Sequence, residues 1–130
     1  MADRGERINA ILVDAYDHTG IAHSVVKRSF VQNAKQILGT NGVFVMNLVA
    51  ESADVKRHIE TVRQVFRDTV VVAMQRGGNL VIFAGETLHD PRRAKMAMRN
   101  AERVEDRLGL FFPTLIQHLN ERAGKWPGVK

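Results

Sequence analysis

Ile8-Asn9-Ala10-Ile11-Leu12-Val13-Asp14-Ala15-Tyr16-Asp17 decides the fold, because an almost wholly apolar run ends there in two carboxylates three positions apart. An apolar run without regular polar alternation predicts a strand covered on both faces, as in a parallel α/β sheet. Ligands of such sheets bind beyond the carboxyl ends of the strands. Asp14 and Asp17 fall at that end, which makes them the first candidate site residues.

The residues that follow complete a strand, helix, strand pattern. Residues 24–38 predict a helix, with Ser24 as a plausible N-cap and Gly39 just past its end. Residues 43–49 include β-branched residues and no charged residue, and they predict a second strand. A βαβ unit of this kind implies a right-handed crossover and a parallel pair. The apolar stripe expected on the buried face of the helix comprises Val26, Phe30, Ala34, Ile37 and Leu38.

A second helix and a hairpin are predicted next. Residues 53–67 form an amphipathic pattern, and residues 69–75 and 79–84 form two strands joined by Arg76-Gly77-Gly78, a glycine turn suited to a hairpin. The sheet should therefore contain about four strands, two of them parallel, with an antiparallel hairpin closing it and helices on both faces. The residues expected to point inward from the second helix are Val55, Ile59, Val62 and Phe66.

The C-terminal part of the chain predicts a pair of helices. Residues 91–108 and 113–122 each begin with proline, which suits the first helical turn. The expected organisation is an α/β domain over 1–88, a helical pair packed on it over 89–123, and a loose tail over 124–130.

Composition limits the class of protein. The chain has 130 residues, of which 45% are hydrophobic and 25% charged, so one globular domain is expected. Cysteine is absent, which excludes disulfides and thiolate metal sites. No apolar run approaches the roughly 20 residues that cross a bilayer, so a cytoplasmic protein without a membrane partner is expected.

The net charge of +5 admits an anionic partner such as RNA. Lys and Arg are spread over every predicted helix, however, and aromatic residues make up 6% of the chain, which leaves few stacking platforms for single strands. Solvated helix faces are therefore favoured over nucleic-acid binding. Weak RNA binding stays an alternative through Arg92, Arg93, Arg99, Arg103 and Arg107, a set interrupted by Glu102, Glu105 and Asp106.

The order of these elements resembles the second half of a spermidine synthase, or polyamine aminopropyltransferase, a family built on the class I S-adenosylmethionine methyltransferase fold. The likeness spans about residues 8–85. It is carried by Ile11-Leu12-Val13-Asp14-Ala15-Tyr16-Asp17, Gly20-Ile21, Ser29-Phe30, Leu38-Gly39-Thr40-Asn41-Gly42-Val43-Phe44-Val45, Val65-Phe66 and Asn79-Leu80-Val81.

The resemblance implies a chemistry. In the family, an amine of putrescine attacks the aminopropyl carbon beside the sulfonium of decarboxylated S-adenosylmethionine, which is the co-substrate, and no tightly bound cofactor or metal is needed. The attacking amine must first lose a proton, because its pKa is about 10. By analogy Asp14 would be the base and Asp17 a ligand of the amine. Tyr16 and Asn47 are further candidate substrate contacts because of their positions near the strand ends.

Structural roles compete with each of these assignments. An Asp at the end of a parallel strand often caps the next turn. Tyr16 could line a pocket or cover the strand end, and Asn47 could contact a ligand or hold a turn. His18 and His23 are interpreted as solvated loop residues, because a convincing metal-ligand set is lacking.

The sequence departs from the family in two ways. The family's glycine-rich donor turn and acidic ribose ligand precede this first strand, whereas seven residues precede Ile8 here, and His18 stands where the family has proline. We therefore expect the donor-binding half to be missing. The outer edge of the strand Ile8–Val13 would then pair with a second copy or an N-terminal partner, or be covered by the C-terminal helices. A non-catalytic oligomerisation or regulatory module is accordingly the alternative function.

Overall fold

The structure is a computed structural model that describes residues 8–17, 20–74, 78–109 and 117. It contains six strands and three helices within those residues. In chain order they are β1 (Ile8–Val13), β2 (Tyr16–Asp17), β3 (Gly20–Ile21), α1 (Arg28–Ile37), β4 (Leu38–Val49), α2 (Val55–Val65), β5 (Asp68–Ala73), β6 (Asn79–Gly85) and α3 (Pro91–Leu108).

Four strands form one sheet in the order β1, β4, β6, β5. β1 runs parallel to β4, with Val13 opposite Met46. The β4–β6 and β5–β6 pairs are antiparallel. This confirms the predicted α/β sheet of four strands, with one parallel pair and a closing hairpin.

α1 and α2 pack on the same face of this sheet. Crossovers from β1 to β4 and from β4 to β5 move across the sheet in one direction, and the general right-handed rule would leave both helices on one side. Side chains of both helices join the same core cluster as the alternate residues of β4 and β6. The predicted covering of both faces therefore does not come from α1 and α2.

The core follows the two periodicities of strand and helix. Phe44, Met46 and Leu48 alternate along β4 and are almost wholly inaccessible to solvent, as are Leu80 and Ile82 in β6. The ring of Phe44 stacks on that of Phe66 at the end of α2, with 5.4 Å between ring centres. The predicted inward residues of the second helix, Val55, Ile59, Val62 and Phe66, are all buried.

The first helix is shorter than the sequence pattern predicts. It begins at Arg28, and Lys27, not Ser24, is its N-cap residue. At its other end Leu38 leaves the helix and starts β4, where it lies opposite Ile8. Leu38 is buried as predicted, but in β4, whereas Ile37, the last residue of α1, is 51% exposed and does not join the core as predicted.

The remaining boundaries differ less. α2 covers Val55–Val65 within the predicted 53–67, and α3 covers the predicted 91–108. The side chain of Asp90 caps α3 by accepting a hydrogen bond from the Arg92 amide at 2.9 Å. Three predicted segments lie outside the described residues: the turn at 75–77, the tail at 124–130 and, apart from Gln117, the helix at 113–122.

Candidate functional site at the carboxyl ends of β1 and β4

Asp14 directly follows β1 and meets Asn47, which lies two residues before the end of β4. Val13 is the last residue of β1 and lies opposite Met46, so the next residue of each strand is a neighbour across the pair. The Asn47 Nδ2 atom donates a hydrogen bond to Asp14 Oδ1 at 3.0 Å. Asp14 is exposed and Asn47 is half-buried, so the carboxylate faces solvent from a held position.

A third polar side chain, from β6, extends this contact. Asn79 Nδ2 donates to Asn47 Oδ1 at 3.0 Å. Asn47 lies opposite Val81 and Val49 opposite Asn79, which makes the two asparagines diagonal neighbours on the same face of the antiparallel pair. Asp14, Asn47 and Asn79 thus form one hydrogen-bonded row across three strands, which we call the Asp14 cluster.

Tyr16 closes the edge of β4 next to this cluster. β1 ends at Val13, and among the residues that the structure describes no strand pairs with β4 beyond Met46 on that side. The Tyr16 hydroxyl accepts a hydrogen bond from the Val49 amide at 2.7 Å. Tyr16 therefore covers the strand end, and its oxygen satisfies a backbone donor that would otherwise lack a partner.

The environment of Tyr16 keeps its phenol protonated. Burial raises the pKa of Tyr16 above 10.0, and the negative charge of Asp14 raises it further. The Val49 amide, which favours the phenolate, opposes both effects. The hydroxyl is therefore protonated at neutral pH.

Asp17 lies on the short ladder that follows. β2 and β3 pair antiparallel, with Tyr16 opposite Ile21 and Asp17 opposite Gly20. Gly20 has a φ of +124°, a conformation that side-chain-bearing residues rarely adopt. The side chain of Asp17 and the whole of His18 lie outside the described part of the structure. His23 is exposed in the turn before α1.

The Asp14 carboxylate gives the cluster an exposed hydrogen-bond acceptor. Asn47 occupies Asp14 Oδ1, and within the described residues Oδ2 has no hydrogen-bond partner. A carboxylate oxygen of this kind accepts hydrogen bonds from an ammonium group and attracts its charge. Across residues 8–17, 20–74, 78–109 and 117 no group of three or more His, Asp or Glu side chains could hold a metal ion.

Two surface grooves of about 580 and 550 Å³ lie away from the cluster. One lies between α1 and α2, and the other lies at the start of β4, the end of that strand farther from Asn47. Lys35 borders both grooves and forms an ion pair with Glu86 at 3.0 Å while donating to the Val65 carbonyl. We assign the candidate site to the strand ends because α/β sheets bind ligands there.

The arginines of α3 do not act as one surface. Arg93 donates to Thr87 Oγ1 at 2.6 Å and to the Asn41 carbonyl at 2.8 Å, which ties α3 to the start of β4. Arg92 pairs with Asp90 at 3.0 Å. The remaining members of the set considered for RNA, Arg99, Arg103 and Arg107, are exposed.

None of the helices in the described ranges has the length and apolar character needed to span a membrane.

Sequence comparisons find similarity to polyamine aminopropyltransferases. No protein-family model matches the chain. The chain is 26% identical over 114 residues to the polyamine aminopropyltransferase of Chromobacterium violaceum, covering 87% of this chain and 44% of that protein. It is 25% identical over 121 residues to the polyamine aminopropyltransferase of Neisseria meningitidis serogroup B, covering 90% of this chain and 46% of that protein. The chain therefore spans less than half the length of these relatives.

The structure is similar to that of human methyltransferase-like protein 13, crystallised with SAH. The TM-score is 0.61 and the sequence identity 18%, over 98% of this chain and 55% of the other. The sheet and this likeness define a methyltransferase-type fold. Within that class the chain is spermidine synthase-like, since the relatives that it matches over most of its length are polyamine aminopropyltransferases.

Proposed function

We propose that the Asp14 cluster binds an ammonium group of putrescine or a similar polyamine and supplies the amine-acceptor side of aminopropyl transfer. The observation that carries the proposal is the exposed Asp14 carboxylate, held at the ends of two parallel strands with one oxygen free within the described residues. The similarity to polyamine aminopropyltransferases supports the choice of an amine over other cations.

The proposed reaction is a nucleophilic substitution at carbon. Asp14 accepts a proton from the amine, whose nitrogen then attacks the aminopropyl carbon attached to the sulfonium of decarboxylated S-adenosylmethionine. The new C–N bond forms as the C–S bond breaks, and sulfur keeps the electron pair, so methylthioadenosine leaves. Asp17 and Tyr16 stand as proposed contacts of the amine, and Asn47 as the residue that holds the carboxylate.

Product analysis tests this function directly. The purified chain is incubated with putrescine and decarboxylated S-adenosylmethionine, and spermidine is measured by mass spectrometry. Spermidine formed by the wild type and lost in Asp14→Asn would support Asp14 as the base, with Asp17→Asn separating the two carboxylates. Because the proposal covers the amine-acceptor side alone, putrescine binding that is weaker in Asp14→Asn is the result expected if the purified chain forms no product. Asp106→Asn is the matched control, because it makes the same change at an exposed position on α3. Equal product from Asp14→Asn and Asp106→Asn would refute the role of Asp14.

A second candidate function is a non-catalytic module that assembles through β1. Within the described residues β1 pairs with β4 alone and lies at the sheet edge. Leu12 is 77% exposed and Ile8 45%, which is unusual for apolar residues of a strand. An exposed apolar edge strand favours pairing with another chain, and we propose a second copy.

Sedimentation velocity and amide exchange test this second candidate. A dimer with slowly exchanging β1 amides is expected for the wild type. Leu12→Lys should shift it towards monomer, because a lysine on an edge strand discourages pairing. A wild-type monomer with rapidly exchanging β1 amides would eliminate assembly through this edge.

A further inference from the structure

We infer that Asn79 is a positioning residue for Asp14 and acts through the side chain of Asn47. The inference rests on the proposed function, in which Asp14 contacts the amine. Asn79 lies in β6, two strands away from β1, and makes its side-chain contact with Asn47. Asn79 can therefore affect the orientation of Asp14 through Asn47, although it does not contact Asp14 itself.

The direction of the two hydrogen bonds follows from charge. An ionised carboxylate accepts hydrogen bonds and donates none, so Asn47 must turn its Nδ2 towards Asp14. Its Oδ1 then faces Asn79, and the pair is favourable only if Asn79 donates. Asn79 therefore holds the Asn47 amide in the orientation that fixes Asp14 Oδ1 and leaves Oδ2 towards an incoming cation.

Substitution can separate the side chain of Asn79 from its backbone. The Asn79 carbonyl accepts a hydrogen bond from the Met74 amide at 3.0 Å, and the residue pairs with Val49 in the ladder. Both interactions use main-chain atoms and persist in Asn79→Ala. That variant removes the contact with Asn47 while β6 keeps its backbone partners.

Loss of the contact should loosen Asn47 without deleting it. Asn47 and Asn79 are both half-buried, and a hydrogen bond between neutral groups makes a small net contribution to stability. Without it the Asn47 amide can rotate towards solvent, and the Asp14 carboxylate samples orientations that do not suit the ligand. The affinity for the amine then falls although no group that touches the amine has changed.

A double-mutant cycle on the full chain measures this dependence. Putrescine affinity is determined by calorimetry for the wild type, Asn79→Ala, Asn47→Ala and the double variant. We expect Asn79→Ala to weaken binding about threefold to fivefold in the wild type. In the Asn47→Ala background it should have no further effect. The same loss in both backgrounds, or no loss in either, would overturn the inference.

A nuclear magnetic resonance measurement keeps the inference testable if putrescine does not bind. The side-chain amide protons of Asn47 should be shifted and protected from exchange in the wild type, and should move towards free-amide values in Asn79→Ala. Asn100→Ala, at an exposed position on α3, should leave them unchanged. Absence of putrescine binding to the wild type would reject the proposed function alone. Unmoved Asn47 signals in Asn79→Ala would reject the positioning role alone.

Discussion

The Asn47 Nδ2 atom lies 3.0 Å from Asp14 Oδ1, although the two residues are 33 positions apart in the chain. The contact exists because β1 and β4 are parallel neighbours and end at the same edge of the sheet. A carboxylate that is both exposed and restrained in this way can meet a cation with less loss of side-chain freedom than an unrestrained surface Asp.

The first prediction concerns the charge at this position. Asp14→Asn keeps the size of the side chain and removes its negative charge. An exposed charge pair contributes about 1 kcal/mol, so putrescine affinity should fall about fivefold. Calorimetry at low ionic strength measures it, and high salt should reduce the difference between wild type and variant. A salt-independent difference would mean that Asp14 affects binding by packing and not by charge.

The second prediction uses Tyr16, which is the single tyrosine of the chain. Burial and the Asp14 carboxylate both raise the pKa of its phenol. Asp14→Asn removes the second cause, so the phenol should ionise at lower pH in the variant. Ultraviolet absorbance of the tyrosinate follows this titration without interference from another tyrosine. A phenol that titrates identically in wild type and Asp14→Asn would show that Asp14 is too distant to act on it.

Several parts of the structure follow from local sequence signals. β1 has its predicted bounds, because its apolar run ends sharply at Asp14, but the predicted burial on both faces was wrong: Val13 is buried and the other residues of the strand are exposed or half-buried. α3 also has its predicted bounds, since Asp90 and Pro91 provide a start and Gly109 an end in the left-handed conformation. The position of Asp14 at the end of a strand could be predicted from local sequence alone, without tertiary information.

Other features depend on long-range pairing and could not be predicted. Asn79 joins the Asp14 cluster because the β4–β6 register puts it diagonal to Asn47, and no local pattern encodes that register. Leu38 has helical neighbours in sequence but becomes the first residue of β4 through its pairing with Ile8. The burial of His58 was missed because a histidine on an amphipathic helix gives no signal for the core.

The third prediction concerns the other role of Tyr16. Tyr16→Phe keeps the ring but leaves the Val49 amide without the hydroxyl that accepts its hydrogen bond. A half-buried donor that loses its partner costs about 1 kcal/mol, so the free energy of unfolding should fall by that amount. Urea denaturation measures the change. An unchanged denaturation midpoint would mean that water replaces the hydroxyl at no cost.

The fourth prediction compares the two faces of the sheet. Phe44→Ala removes a ring that is fully buried and stacked on Phe66, which should cost about 3–5 kcal/mol. Leu12→Ala, at a position 77% exposed, should change stability by less than about 0.5 kcal/mol. Urea denaturation of both variants provides the comparison. A large loss in Leu12→Ala would indicate that another chain covers the β1 edge in solution.

The fifth prediction concerns His58, which is 4% exposed on the inner face of α2. Burial lowers the pKa of His58, the nearby Arg57 lowers it further, and Asp54 acts in the opposite direction. The unfolded chain therefore takes up a proton near its ordinary pKa of about 6.5, whereas the folded chain does so at lower pH. The stability due to neutral His58 is therefore complete above the pKa of the unfolded chain. It is lost as the pH falls from there through the lower pKa of the folded chain.

His58→Gln should remove this pH dependence. Urea denaturation between about pH 7.5 and pH 5 should show a smaller decline for the variant than for the wild type. His23→Gln is the matched control, because His23 is exposed in a turn and its replacement should leave the wild-type decline intact. Parallel declines in the wild type and His58→Gln would show that other groups control acid stability and that His58 is protonated equally in both states.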